Sequence, residues 1–123
     1  QTTAYEYKNV QEAAKLFDLE IEGNIYTRIG NPTTEVFEKR IAKLEGGISA
    51  LALSSGMASV FYSIANLVKS GDNVIASTKL YGGTITLLTQ TLKHFGVKVK
   101  YFDVHKPKEL EALIDKNTRA IIF

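Results

Sequence analysis

Three short stretches carry residue types that could do chemistry. The first is Leu53-Ser54-Ser55-Gly56-Met57-Ala58, where small residues join an apolar run to a helical pattern. A helix N-terminus presents free N–H groups and a partial positive charge, and small side chains let an anion approach the backbone, so this turn could hold a phosphate. The same residues also suit a tight turn that needs Gly for steric reasons alone. Neither G-x-G-x-x-G nor G-x-x-x-x-G-K-[ST] occurs, which excludes a regular dinucleotide or triphosphate loop. The second stretch is Leu80-Tyr81-Gly82-Gly83-Thr84, just past an apolar run at Val74. Ligands of open α/β sheets bind beyond the carboxyl ends of strands, so Tyr81 could share an edge with the Gly56 turn and offer its face to a flat ring, or simply pack on the helix that follows. The third is Tyr26-Thr27-Arg28, in which a guanidinium fork matches a phosphate bidentately and Tyr26 adds a hydroxyl. Most loop arginines are merely solvated.

The first stretch has a second reading. Ala52-Leu53-Ser54-Ser55-Gly56 is also a degenerate nucleophile elbow with Ser54 as nucleophile, which would make the chain a serine hydrolase. The base would have to be His94, inside an amphipathic stretch, or His105, in a polar turn, and neither is placed for that role. Both read as surface residues. With no Cys and no further ligand pattern, no metal site is expected.

The elements that must position these residues follow from periodicity. Ile48 to Leu53, Val74 to Ser77, Val97 to Phe102 and Ala120 to Phe123 are apolar runs that predict strands. Between them Met57, Val60, Phe61, Ile64 and Val68 recur at helical spacing, as do Ile85, Leu88, Leu92 and Phe95, then Leu110, Leu113 and Ile114. The alternation predicts crossover units on a parallel sheet, with Gly71 and Gly96 stopping the first two helices. Upstream, a helix is expected from Val10 to Leu19. A second opens at Asn31-Pro32 with the stripe Phe37, Ile41 and Leu44 and ends at Gly46-Gly47. The polar, Gly-containing stretch Glu22 to Gly30 between these helices is a connector or a binding segment.

The chain has 123 residues, 45% hydrophobic and 23% charged, with fifteen Lys+Arg against thirteen Asp+Glu. That describes one soluble globular domain without a membrane-spanning stretch, and the scattered charge gives a nucleic-acid role no support. The absence of Cys fits a reducing cytosol. The start at Gln1-Thr2-Thr3 and the apolar end Arg119-Ala120-Ile121-Ile122-Phe123 are expected to be internal to a longer protein.

Taken together, Asn24-Ile25-Tyr26-Thr27-Arg28-Ile29-Gly30-Asn31-Pro32-Thr33, Ser54-Ser55-Gly56-Met57-Ala58 and Leu80-Tyr81-Gly82-Gly83-Thr84 closely resemble the pyridoxal-phosphate enzymes of cysteine and methionine metabolism. Within that family, Ala13-Ala14-Lys15-Leu16-Phe17 followed by Gly23-Asn24-Ile25-Tyr26-Thr27-Arg28 is most similar to the O-acetylhomoserine sulfhydrylases. The resemblance implies an α/β fold in which an N-terminal helical arm precedes part of the mostly parallel, helix-flanked sheet of an aspartate-aminotransferase-like large domain. It divides the chain into an arm with its first helices and a subunit-crossing loop at 1–46, and the first part of the cofactor-binding domain at 47–123. It further implies that the Gly56 and Met57 N–H groups hold the phosphate of pyridoxal 5'-phosphate, and that Tyr81 stacks on the pyridine ring and helps handle protons near the substrate alpha carbon. Tyr26 and Arg28 would clamp the phosphate in a neighbouring subunit.

An active homodimer, commonly a homotetramer, acting in the cytoplasm on a small amino-acid substrate is implied as well. The reaction expected is replacement at the gamma carbon of O-acetylhomoserine by sulfide or a thiol, giving homocysteine or methionine plus acetate. A gamma-lyase or gamma-synthase of the same family is the nearest rival, and a noncatalytic phosphate-binding fragment is a reading of another class. The family's Schiff-base Lys and the Asp that pairs with the pyridinium nitrogen are expected beyond Phe123. Lys79, although near Tyr81, is therefore assigned to the surface or the edge of the site.

Overall fold

The computed structural model describes residues 2–123, which fall into two compact units, Gln1–Ala52 and Leu53–Phe123. The first unit contains two helices, α1 (Val10–Phe17) and α2 (Pro32–Leu44). Asn9 caps α1 by accepting the Glu12 N–H at 2.8 Å, while the Glu12 carboxylate accepts the Lys8 N–H at 2.7 Å, a reciprocal capping pair. The helix ends two residues earlier than its periodicity predicts, because Leu19 swings to φ 58° and the Glu20 N–H reaches back to the Lys15 carbonyl at 2.9 Å. Helix α2 starts where the Asn-Pro signal predicts, with Asn31 Oδ1 accepting from the Thr33 and Thr34 N–H groups at 2.9 and 3.4 Å. It stops at Gly46, whose φ is +66°. On its surface the Glu35 carboxylate hydrogen-bonds Lys39 and raises the pKa of that ammonium.

The run from Ile48 to Leu53 is not a strand. An apolar run becomes one only when a neighbour supplies a hydrogen-bond ladder, and none does so among the described residues. Ile48 and Leu51 stay largely exposed, and the Ala52 N–H is taken by Glu38 Oε1 at 2.7 Å.

The second unit holds the other three expected strands, β1 (Asn73–Ser77), β2 (Lys98–Phe102) and β3 (Thr118–Ile122), in one parallel sheet of order β2-β1-β3. Helix α3 (Gly56–Ala65) precedes β1. Between β1 and β2 lie α4 (Gly82–Thr86), a π-helical turn (Leu87–Thr91) and the short α5 (Leu92–His94); α6 (Lys108–Leu113) leads to β3. Ile64, Val74, Ala76, Leu88, Leu92 and Val97 form the core, with Val60, Phe61, Val68 and Leu80 packed on it. Of the 85-88-92-95 stripe Leu88 and Leu92 are buried and Ile85 half-buried, while Phe95 is exposed, and the helix widens in its middle. There the Thr86 and Thr89 hydroxyls donate back to the Gly82 and Ile85 carbonyls, at 3.2 and 2.8 Å, and compete with the regular ladder. Gly96 caps this segment as predicted, with φ +74°, and a Cβ there would stand 2.3 Å from Ser70 Oγ. Gly71 does not cap α3, which ends at Ala65; with φ +93° it turns the chain into β1, its N–H donating to the Gly96 carbonyl at 3.0 Å.

The amino-terminal edge of the sheet is tied by polar side chains. Asp115 accepts from Lys100 Nζ at 2.6 Å, from Asn73 Nδ2 at 2.9 Å and from the Asn117 N–H at 2.8 Å. The Thr118 hydroxyl donates to Asn73 Oδ1 at 2.9 Å, and Lys100 also donates to the Leu113 carbonyl that ends α6. These bonds, that from Lys100 first, hold the Asp115 carboxyl well below its ordinary value of 3.8. Asp72, paired with Arg119 Nε at 3.2 Å and accepting the Lys69 N–H, is lowered by the same kind of bond, chiefly that from Arg119. A depressed carboxyl contributes stability that is fully present above its unfolded value and is lost as pH falls through the folded one. The full-length protein is therefore expected to lose thermal stability as pH drops below 3.8. Lys100→Met, which removes the largest cause of the Asp115 shift, is expected to lower the melting temperature at neutral pH and to flatten that acid limb; melts run across pH check both.

Candidate functional site

The predicted phosphate turn is built as a helix start. Ser55 is extended and accepts the Ala58 N–H at 3.1 Å through its hydroxyl, and its carbonyl accepts the Ser59 N–H. Those bonds leave the Gly56 and Met57 N–H groups without an acceptor among the described residues. Beyond its chain neighbours and its own helix, no part of the protein lies within 4 Å of the point a Gly56 Cβ would occupy. The first turn of α3 carries no acidic residue, whereas α1, α2 and α6 carry Glu12, Glu35 and Glu109 there. Unpaired donors, open space and no repelling carboxylate suit a dianionic phosphate.

Tyr81 stands close by. Buried β1 ends at Ser77, whose hydroxyl accepts the Lys79 N–H at 2.9 Å and turns the chain toward Tyr81. The Tyr81 ring is 75% exposed and free to meet a ligand. A Cβ on Gly83 would stand 2.6 Å from Tyr81 Cε1 and 3.3 Å from Met57 Sδ, so the bare Cα of Gly83 is where the aromatic ring and the α3 N-terminus converge. Gly56, Met57 and Tyr81 are expected on one edge, and the structure brings the Met57 side chain and the Tyr81 ring together at Gly83, a glycine of the Tyr81 stretch to which the sequence alone gives no role. Lys79 is exposed beside this edge.

Tyr26 and Arg28 lie in the first unit, the guanidinium carbon 5.3 Å from the centre of the Tyr26 ring. Tyr26 forms an antiparallel bridge with Ala4, and its carbonyl accepts the Ile29 and Gly30 N–H groups in a tight turn. Both residues are exposed.

The elbow reading of Ser54 fails. The residues before Ser54 form no strand, His94 Nδ1 is engaged 2.8 Å from the Gln90 carbonyl, and His105 is exposed in its turn.

Fold and edge together define an α/β domain that presents a helix N-terminus and an aromatic ring at the carboxyl end of a parallel sheet. All of residues 1–123 match the family of Cys/Met metabolism PLP-dependent enzymes, and the chain belongs to that family. It is 51% identical over 120 residues to the sulfhydrylase FUB7 of Fusarium oxysporum f. sp. lycopersici, a match covering 98% of this chain and 28% of that protein. It is 46% identical over the same length to the O-acetyl-L-homoserine sulfhydrylase of Leptospira meyeri, covering 98% of this chain and 27% of that one. Among solved structures, an O-acetylhomoserine (thiol)-lyase of Campylobacter jejuni, crystallised with a pyridoxyl-lysine monophosphate, superposes with a TM-score of 0.95 at 49% identity, over 100% of this chain and 30% of that one. The chain thus spans under a third of the length of the proteins it matches. The expected fold, a helical arm followed by part of the aspartate-aminotransferase-like large domain, is the one observed. Among the described residues no helix is long and apolar enough to cross a membrane.

Gly83→Ala is expected to push the Tyr81 ring away from the α3 N-terminus. Because the ring can swing into solvent, the cost should fall below the roughly 1–3 kcal/mol of an overpacked core. A crystal structure of the full-length variant and its urea unfolding curve check the two halves of this expectation.

Proposed function

We propose that the full-length protein catalyses replacement at the gamma carbon of O-acetylhomoserine, acetate leaving and sulfide or a thiol taking its place to give homocysteine or methionine. The observation that carries this reading is the similarity of the whole chain to an O-acetylhomoserine (thiol)-lyase crystallised with a pyridoxyl-lysine monophosphate, supported by relatives named as sulfhydrylases. When bound, pyridoxal phosphate supplies an electron sink that lets protons leave the alpha and beta carbons of an amino acid. The Gly56 and Met57 N–H groups hold its phosphate, aided by the positive end of α3. Tyr81 stacks on the ring and handles protons near the alpha carbon. Tyr26 and Arg28 reach a neighbouring subunit and clamp the phosphate there, the guanidinium by paired charge-assisted bonds. The working form is a homodimer or a homotetramer built from it, in the cytoplasm.

The purified full-length protein is expected to show a visible absorption band that borohydride bleaches, and to release acetate from O-acetylhomoserine only when sulfide or a thiol is supplied. Release of a 2-oxo acid and ammonia without added sulfide would make it a lyase instead, and a protein that stays colourless with added pyridoxal phosphate would overturn the reading. Arg28→Ala is expected to weaken cofactor binding about tenfold or more, as loss of a hydrogen bond to a charged group does. Tyr26→Phe should weaken it by about threefold to tenfold. Titration of the apoprotein with pyridoxal phosphate measures both.

A further inference from the structure

The Tyr26-Thr27-Arg28 turn has no regular structure of its own, yet two hydrogen bonds reach it from residues 2–4. The Thr27 N–H donates to the Thr3 carbonyl at 2.9 Å, a bond of the Ala4–Tyr26 bridge, and the Thr27 hydroxyl donates to the Thr2 carbonyl. Tyr7 adds a third from upstream, its hydroxyl donating to the Ile25 carbonyl at 2.9 Å. The same Thr27 hydroxyl accepts from Asn31 Nδ2 at 3.1 Å, and Asn31 Oδ1 is the cap that starts α2. One exposed side chain therefore links the N-terminal segment, the turn and the first turn of a thirteen-residue helix.

Two hydrogen bonds give the Thr27 hydroxyl a role at this place. Its side chain is exposed and contributes nothing to a core, and a turn residue with no partner is free to be any polar type. A hydroxyl that donates one bond and accepts another fixes the backbone between Tyr26 and Arg28 from two sides, which sets where the two functional side chains depart. We propose that Thr27 is a positioning residue: through its hydroxyl, residues 2–4 and Asn31 hold the turn so that Tyr26 and Arg28 are preorganised for a phosphate. The inference rests on the clamp reading given above. Preorganisation matters because a flexible Arg must lose rotamer and backbone freedom on binding, whereas a braced one has already lost it.

The test uses the full-length protein. Thr27→Val keeps the side-chain shape and removes the hydroxyl, and it is expected to weaken pyridoxal phosphate binding to the apoprotein by about threefold to tenfold. Thr27→Ser, which restores the hydroxyl, should return the affinity to within about twofold. In an Arg28→Ala background the Thr27→Val change should have a smaller effect, because only Tyr26 is then left for the brace to position. Hydrogen exchange on the apoprotein should show the Thr27 amide less protected in Thr27→Val, with α2 still protected, which separates a loosened turn from unfolding. Wild-type affinity in Thr27→Val, or an undiminished weakening in the Arg28→Ala background, overturns the proposal. An unchanged affinity in Arg28→Ala alone overturns the clamp reading itself, a distinct result.

Discussion

The structure of the second unit depends on burial of one strand. Strand β1 is hydrogen-bonded on both edges, and Val74, Ile75 and Ala76 are shielded completely from solvent. Such a strand has no exposed face on which to satisfy its backbone, so the ladders to β2 and β3 are obligatory. Its side chains then organise both layers: Val74 and Ala76 meet Ile64 of α3 and Leu88 and Leu92 of the following helical segment, while Ile75 alternates to the other face. Both functional elements of this unit hang from that strand, α3 because its apolar stripe packs there and Tyr81 because it follows the strand's carboxyl end.

The two ends of the sheet divide their work. At the amino end Asp115, Asn73, Thr118 and Lys100 form a bonded cluster, and Asp72 with Arg119 adds a second tie. The members of that cluster bond one another and tie the amino end of the sheet together. At the carboxyl end the situation is reversed: two helix N–H groups have no acceptor among the described residues, the Tyr81 ring is exposed, and Gly83 keeps space clear between them. Satisfied polarity stabilises and unsatisfied polarity binds, and the unit keeps the two apart.

The first unit follows another rule. It buries little beyond Leu16, Ile25 and Ala42, and leaves Phe17, Val36, Phe37 and Leu44 exposed, so hydrophobic burial alone does not order its loop. Hydrogen bonds do so instead, from Thr2 and Thr3 on one side and from Asn31 on the other. An arginine carried on a loop is useful for phosphate recognition only if the loop has a defined course, and here that course is set by backbone carbonyls close to the start of the chain.

Much of this was legible in the residues alone. Three strands and the core-facing stripes of α3 and of the helical segment before β2 follow from apolar period, whereas the stripe Leu110, Leu113 and Ile114 of α6 buries no residue; Asn31-Pro32 starts α2 through local capping chemistry, and Ser54-Ser55-Gly56-Met57 opens α3 because small residues and an N-cap suffice to do so. These are short-range effects, and a chain needs no distant partner to display them. The run from Ile48 to Leu53 has the composition of a strand and forms none, since a ladder is a property of two segments and one cannot announce the other. The widened turn at Leu87–Thr91 and the early end of α1 at Leu19 were likewise settled by packing and by hydroxyl and carbonyl partners invisible to periodicity. The sequence by itself determined which residues could bind an anion. Only the tertiary structure decided that the Met57 side chain and the Tyr81 ring come together at Gly83 and that Thr27 ties its turn to residues 2–4, because the geometry of both exists only once the chain has folded.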